Sequence, residues 1–178
     1  MSAERAAMEE TPEGVMPSGA GWFKVNLDES VWRDSVRFGR FCSFENPSAR
    51  FGEFGVNVHV LAPGQPACLY HSETVEEAFL VLSGACKVLI EEEEVELRAW
   101  DFVHCPPGAR HVFVGAGEGP CAILMMGARR EGSGLEYPVS ELAARHGASA
   151  KQLTNDPREA YAGTPKLEAC PSPWPLAD

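Results

Sequence analysis

The chain has 178 residues, with 15 basic and 26 acidic side chains, a formal net charge of −11 and a pI near 4.9. This length suits one domain, because a single core of about 100 to 200 residues buries enough surface to be stable on its own. The excess of acidic groups repels phosphate backbones and anionic lipid head groups, so we expect neither nucleic acid nor a membrane as a partner.

The sequence also lacks the usual signals for export. No apolar stretch reaches the about 20 residues that span a bilayer, and the N-terminus has no basic-then-apolar secretion signal. The six cysteines show neither C-x-x-C zinc spacing nor the density of a small secreted scaffold. We therefore expect a cytoplasmic protein with reduced thiols in or near its core.

In chain order, residues 1–20 are rich in Glu, Ala, Pro and Gly without a hydrophobic period, which predicts a flexible arm, either mobile or laid over the domain surface. Eight short apolar runs with turn signals between them follow, and their near-regular spacing predicts an antiparallel sandwich or barrel over residues 21–128. The runs are WFKVN, VRFGRFCSF, FGVNVHVLA, AFLVLSG, CKVLIE, VELRAW, HVFVGAG and CAILMMGA. The acidic run Glu91–Glu94 is predicted to be a solvated hairpin turn.

Residues 129–178 change in character and predict short helices and a proline-rich tail packed on the barrel. One helix is expected after the N-cap Ser140 and before the stop Gly147, and a second after the N-cap Asp156. The tail is expected to lie extended, with Trp174 as an apolar anchor on the outer wall.

The segment CLYHSETVEEAFLVLSG places His71, Glu73 and Glu77 on one face of an extended chain that leads into an apolar run. Burying unpaired charges costs several kcal/mol, so a metal ion, a salt-bridge network or solvent must compensate them. His111 follows a Pro-Pro-Gly turn at the start of another strand and supplies a fourth candidate ligand. Imidazoles with carboxylates suit iron, manganese, nickel or zinc. Alternatively, His111 caps a turn and Glu73 faces solvent.

Two motifs carry a family resemblance. The first segment is similar to the first cupin motif, G-x5-H-x-H-x(3 or 4)-E-x6-G, with His71, Glu77 and Gly84 in register and Glu73 at the second histidine position. WDFVHCPPGARHVFVG is similar to the second motif, G-x5-P-x-G-x2-H-x3-N, with Pro106, Gly108 and His111 in register. Trp100 replaces its opening glycine and Gly115 its closing asparagine.

The resemblance, over about residues 54 to 127, implies an all-β fold: a small double-stranded β-helix, or jelly-roll, cupin barrel with short C-terminal helices. It further implies a divalent metal (Mn, Fe, Zn or Ni) held by His71, Glu73, Glu77 and His111. Two carboxylates shift the preference towards manganese, iron or magnesium and away from copper.

Two functional hypotheses follow from this site. In the first, the protein is an enzyme, an oxygenase, isomerase or lyase, in which Tyr70, Glu73 or His59 moves a proton on a small organic substrate. In the second, it is a non-catalytic module that binds or senses a small ligand. We also expect a homodimer, because the segment from Trp22 to Phe44 supplies aromatic-rich strands that can pair across a two-fold axis.

Overall fold

The computed structural model describes residues 4–46 and 48–174, which form mainly short antiparallel strands. The ladders form a seven-stranded sheet in the order β10-β7-β12-β5-β4-β3-β14, a three-stranded sheet in the order β11-β8-β9, and the pairs β13-β6 and β1-β2. The strands and helices are β1 Met8–Thr11, β2 Gly14–Pro17, β3 Trp32–Ser35, β4 Gly39–Ser43, β5 Phe54–Leu61, β6 Ser72–Glu73, β7 Glu77–Ser83, β8 Ala85–Ile90, β9 Glu93–Arg98, β10 Phe102–Cys105, β11 His111–Ala116, β12 Cys121–Ala128, β13 Leu135–Glu136, α1 Glu141–Arg145, α2 Pro157–Ala160 and β14 Glu168–Cys170.

The fold is a jelly-roll barrel, as the resemblance to the two cupin motifs implies. The core lies between the seven-stranded and the three-stranded sheets, where Phe79 and Phe113 pack with their ring centroids 4.5 Å apart. Both side chains are almost fully buried. Burial of one such ring stabilises the fold by about 2 to 3 kcal/mol, and the rings form the floor beneath the polar residues at the barrel mouth.

The strand prediction is confirmed for the central ladders and wrong near the N-terminus. Residues 23–26 of the predicted run WFKVN form no strand, whereas β3 and β10 were missed. Each missed strand has only four residues, so an alternating pattern is too short to stand out. The hairpin β1-β2, within the predicted arm, was also missed, and the amide of Val15 donates to the carbonyl of Glu29.

The C-terminal predictions are confirmed where the chain is described. Ser140 caps α1 and Asp156 caps α2 through their side chains. Beyond α2, β14 adds an edge strand to β3, and Trp174 packs on the outer sheet cluster around Trp32. Residues 1–3 of the predicted arm and 175–178 of the predicted tail lie outside the described residues, and the division at residues 20 and 128 stays a prediction.

Two departures from the second motif have structural reasons. Trp100 adopts φ 76°, the left-handed conformation that glycine favours, at an exposed turn, where the amide of Trp100 donates to the carbonyl of Val81. At Gly115, a Cβ atom would lie 2.2 Å from the carbonyl oxygen of Ala62, so no larger residue fits. The predicted acidic turn is confirmed at exposed Glu91 and Glu92, which join β8 to β9 at positive φ, whereas Glu93 and Glu94 belong to β9. None of the helices in the described ranges is long and apolar enough to cross a membrane.

Candidate metal centre

His71 and His111 face each other across a short antiparallel bridge. The amide of His71 donates to the carbonyl of His111 at 3.1 Å, and the amide of His111 donates to the carbonyl of His71 at 2.8 Å. The turn Pro106–Gly108 fixes this register, because the amide of Gly108 donates to the carbonyl of Glu73 at 2.7 Å. The two imidazole rings consequently lie with their centroids 4.8 Å apart.

A separate contact to a backbone carbonyl two residues earlier in the chain defines the tautomer of each ring. Nδ1 of His71 lies 2.8 Å from the carbonyl of Leu69, and Nδ1 of His111 lies 3.1 Å from the carbonyl of Ala109. A carbonyl oxygen only accepts, so each Nδ1 carries the proton and each neutral ring keeps a lone pair on Nε2. A histidine that ligates a metal through Nε2 is held in this way.

Glu77 completes a group of three potential ligands. It begins β7 on the inward-facing side, and its Oε2 lies 3.4 Å from Nε2 of His111. One donor atom from each of His71, Glu77 and His111 lies within 4.8 Å of the others. Two imidazoles and one carboxylate around a shared point fit iron, manganese, zinc or nickel, and leave coordination positions open for a ligand.

Burial sets the charge state of this group. It lowers the pKa of His111 to about 4, with the neighbouring His71 adding to the effect, and it also lowers the pKa of His71. Burial, with the charge of Glu73 adding to the effect, raises the pKa of Glu77 to about 8. At neutral pH the side chains of His71, Glu77 and His111 are therefore uncharged. A cation that binds there must displace the proton of Glu77.

Glu73 stands apart from the three grouped residues. It lines the same cavity, in the short strand β6, but is not a member of the close group. Burial raises the pKa of its carboxyl. Glu73 also lines a depression on the outer surface, so its carboxylate lies between the cavity and solvent. Its role as a ligand stays a prediction.

The cavity over the grouped residues has a volume of about 290 Å³. Its walls combine the apolar side chains of Phe79, Phe113 and Met125 with the polar side chains of Asn57 and His59. His59 stacks on Phe41 with the ring centroids 5.3 Å apart and the planes 14° apart. The cavity therefore has an apolar part, formed by Phe79, Phe113 and Met125, and a polar part, formed by Asn57 and His59.

Tyr70, which the sequence suggested for proton transfer, lies outside this cavity, as do His104 and Cys105. Tyr70 points away from His71 and packs with Leu89 beneath α1, because neighbouring residues of an extended chain face opposite sides. Its proposed role in moving a proton is therefore wrong. His104 is exposed on the outer face, 3.9 Å from Glu76, and Cys105 is buried in the core.

The sequence did not reveal two polar groups at the cavity. Sγ of Cys68 lies 3.6 Å from Nδ1 of His71, and Arg129 lines the opposite rim. Arg129 is held by a bidentate ion pair with Glu45, with contacts of 2.9 and 2.8 Å. Position 68 precedes His71 by three residues and could have been noticed; the pairing of Arg129 with Glu45 spans 84 residues and left no local signal.

A jelly-roll barrel with two histidines and a carboxylate at its mouth defines the class of protein, and comparison with known proteins agrees with this class. Residues 57–127 match the family of the cupin domain. This central part of the chain is therefore similar to a cupin domain, and the barrel has the fold of that domain. No curated protein matches this sequence.

Solved structures share the fold. A sugar phosphate isomerase of the cupin superfamily from Silicibacter pomeroyi is 23% identical with a TM-score of 0.56, covering 67% of this chain and 83% of that one. The polyketide cyclase RemF from Streptomyces resistomycificus is 15% identical with a TM-score of 0.53, covering 63% and 83%. A protein from Acidithiobacillus ferrooxidans is 28% identical with a TM-score of 0.46, and the match spans 49% of this chain and 57% of that one.

Proposed function

We propose that the protein is a metal-dependent enzyme that binds a small oxygen-containing organic molecule at the barrel mouth and moves a proton on it. The observation that carries the proposal is the convergence of His71, Glu77 and His111 within 4.8 Å on the wall of a cavity. Three protein ligands leave room for a substrate on a divalent ion. Manganese, iron, zinc and nickel all suit this donor set.

The chain's own residues have separate roles in this proposal. His71, Glu77 and His111 hold the ion, which when bound supplies Lewis-acid polarisation of a substrate oxygen. Glu73 accepts the proton, because it lines the cavity without belonging to the close group and burial makes its carboxylate a stronger base. His59 is a poor base, because burial lowers its pKa to about 4. The proton chemistry favours an isomerase or lyase over an oxygenase.

A non-catalytic binding or sensing module is the second candidate. One observation favours it: Glu73 also lines the outer surface, where its carboxylate can face solvent rather than a substrate. A barrel without a base would bind a small ligand on the metal and release it unchanged.

The test combines metal analysis with proton exchange. Purified protein is analysed for manganese, iron, zinc and nickel, and the metal-loaded protein is incubated in D2O with a panel of small hydroxy ketones and keto acids. We expect deuterium to enter next to the carbonyl of one class. Glu73→Gln should abolish the exchange and retain the metal. The control variant Glu76→Gln, at an exposed position, should change neither the exchange nor the metal content. Binding without exchange supports the second candidate, and absence of metal binding refutes both.

We also propose that the protein forms a homodimer. Trp32 belongs to the segment from Trp22 to Phe44 that was expected to pair across the two-fold axis. It is instead buried within the protomer, where it packs with Trp174. Support comes instead from Trp100 and Phe102, which are 74% and 61% exposed beside the edge strand β10. Large apolar side chains exposed next to an unpaired strand edge are typical of a protein interface.

A further inference from the structure

A second cavity adjoins the candidate metal centre. It has a volume of about 380 Å³ and lies between the barrel strands and the C-terminal segment 161–167. His59, Ala67 and Cys68 line both this cavity and the one over the grouped ligands. The two cavities are therefore adjacent at these three residues.

The C-terminal segment forms the roof of the second cavity and is held in place by Tyr161. The hydroxyl of Tyr161 accepts a hydrogen bond from the amide of Leu69 at 3.1 Å. The ring of Tyr161 packs edge-on against Phe38 and Tyr137, with centroid distances of 5.4 and 5.6 Å. The roof is thus fastened two residues before His71, on the strand segment that carries the candidate metal ligand.

The walls of the second cavity are mainly apolar. Phe38, Phe41, Pro165 and Leu167 line it, whereas Lys166 is the single charged residue among its described lining residues. Such walls accept an apolar body and offer little to a phosphate group, which needs several donors or cations.

Buried polar atoms without a hydrogen-bond partner occur along both cavities. Within residues 4–46 and 48–174, four buried side-chain atoms have no hydrogen-bond partner, and three belong to Asn57, His59 and Thr164. Asn57 lines the first cavity, Thr164 the second, and His59 both. A buried polar atom without a partner is costly, and a ligand that passes through both cavities would lie beside all three.

We propose that the ligand of the metal centre extends past His59 into this second cavity, and is therefore an organic molecule with an oxygen-chelating head and an apolar, ring-sized body. This inference rests on the proposed function, in which the head binds a metal held by His71, Glu77 and His111. It adds the substrate class: the head lies at the metal, and the segment 161–167 selects the body.

Two hydroxamates that share a chelating head test the proposal. Their affinities for the manganese-loaded protein are measured by calorimetry, with acetohydroxamate as the head alone and 3-phenylpropanohydroxamate as the head with an apolar body. We expect the phenyl compound to bind about tenfold more tightly or better, because its ring leaves water for an apolar cavity. Equal affinities of the two compounds would overturn the inference.

Variants locate the ring. Leu167→Asp should reduce the ratio of the two affinities at least about fivefold, because a carboxylate would line the second cavity. Leu153→Asp is the matched control, since Leu153 is exposed and lines neither cavity. Should Leu167→Asp fail to fold in melting curves, Leu167→Ala makes the same comparison.

The outcomes separate this inference from the proposed function. If the folded Leu167 variant keeps the parent's ratio of affinities for the two hydroxamates, the phenyl ring binds elsewhere and the inference is overturned. Binding of acetohydroxamate by the manganese-loaded protein would still support the metal centre. Failure of manganese, iron, zinc and nickel to bind at all overturns both.

Discussion

The backbones of His71 and His111 exchange two hydrogen bonds, and this single bridge positions both imidazoles of the candidate metal centre. The rings lie 4.8 Å apart because directly opposite residues of an antiparallel pair project to the same side. The metal centre therefore depends on strand register, which the turn Pro106–Gly108 fixes by its hydrogen bond to Glu73.

Replacement of one histidine should remove the metal and leave the fold. We expect His111→Ala to lower metal affinity by more than about 100-fold, because a direct ligand is lost. Its melting curve without metal should remain cooperative. Metal analysis after dialysis checks the result, with exposed His104→Ala as the control. Equal metal content in His111→Ala and the parent would refute the assignment.

The two carboxylates should differ in their effect on metal affinity. Glu77→Gln should weaken binding strongly, because Glu77 belongs to the close group. Glu73→Gln should change it little, because Glu73 is not a member of the close group, and a moderate loss would instead make Glu73 a direct ligand. Calorimetric titration with manganese measures both variants, and unchanged affinity in Glu73→Gln leaves a centre of His71, Glu77 and His111.

Metal affinity should rise with pH. The cation binds the ionised carboxylate, and the pKa of Glu77 without metal is raised to about 8, so a proton must leave between pH 6 and 8. The imidazole of His111, with a pKa of about 4, is already neutral in this range and therefore does not add to the pH dependence of metal affinity. We expect affinity to increase about tenfold per pH unit in this window. Titrations in buffers of different ionisation enthalpy should show release of about one proton; affinity independent of pH would contradict the charge state assigned to Glu77.

The same shift predicts how pH affects stability without metal. In the unfolded chain Glu77 ionises near the ordinary pKa of a glutamate, 4.5, whereas in the folded chain its pKa of about 8 keeps the proton bound up to about pH 8. Glu77 therefore makes the folded state less stable as pH rises from 4.5 to 8. The melting temperature of the metal-free parent should fall with pH relative to that of Glu77→Gln. Parallel curves for the two proteins would contradict the shift.

The C-terminal tail should stabilise the barrel without holding the metal. Truncation after Gly163 removes the pairing of β14 with β3 and the packing of Trp174 on the outer cluster. Loss of about 2 to 3 kcal/mol of apolar burial would lower the melting temperature by about 5 to 10 °C. Trp174→Ala should give part of this change. Loss of metal in the truncated protein would show instead that the tail closes the centre.

The homodimer is testable through its exposed aromatics. Light scattering at micromolar concentration should give twice the chain mass of 19.3 kDa. Phe102→Glu places a charge on the exposed edge and should produce a monomer with an unchanged melting curve. Val36→Glu, at an 89% exposed position, is the control. A monomeric parent would refute the homodimer, and a dimer that survives Phe102→Glu would place the interface elsewhere.

The sequence by itself determined the fold class, the caps of both helices and the residues that could bind a metal. Alternation of apolar and polar residues, Ser140 and Asp156 as caps, and the Pro-Pro-Gly turn are local signals, and each follows from backbone geometry within a few residues. For the same reason, the residues on one face of the His71 segment could be read from their spacing.

Only the tertiary structure decided which of those residues meet. It brings Glu77, rather than Glu73, to the histidines, because the ladders β7-β10 and β7-β12 hold Glu77 inside the barrel while β6 leaves Glu73 near its rim. It also folds residues 161–167 over a second cavity beside His59, about 100 residues away along the chain. A contact between such distant segments depends on the packing of the whole chain, so no local pattern can encode it.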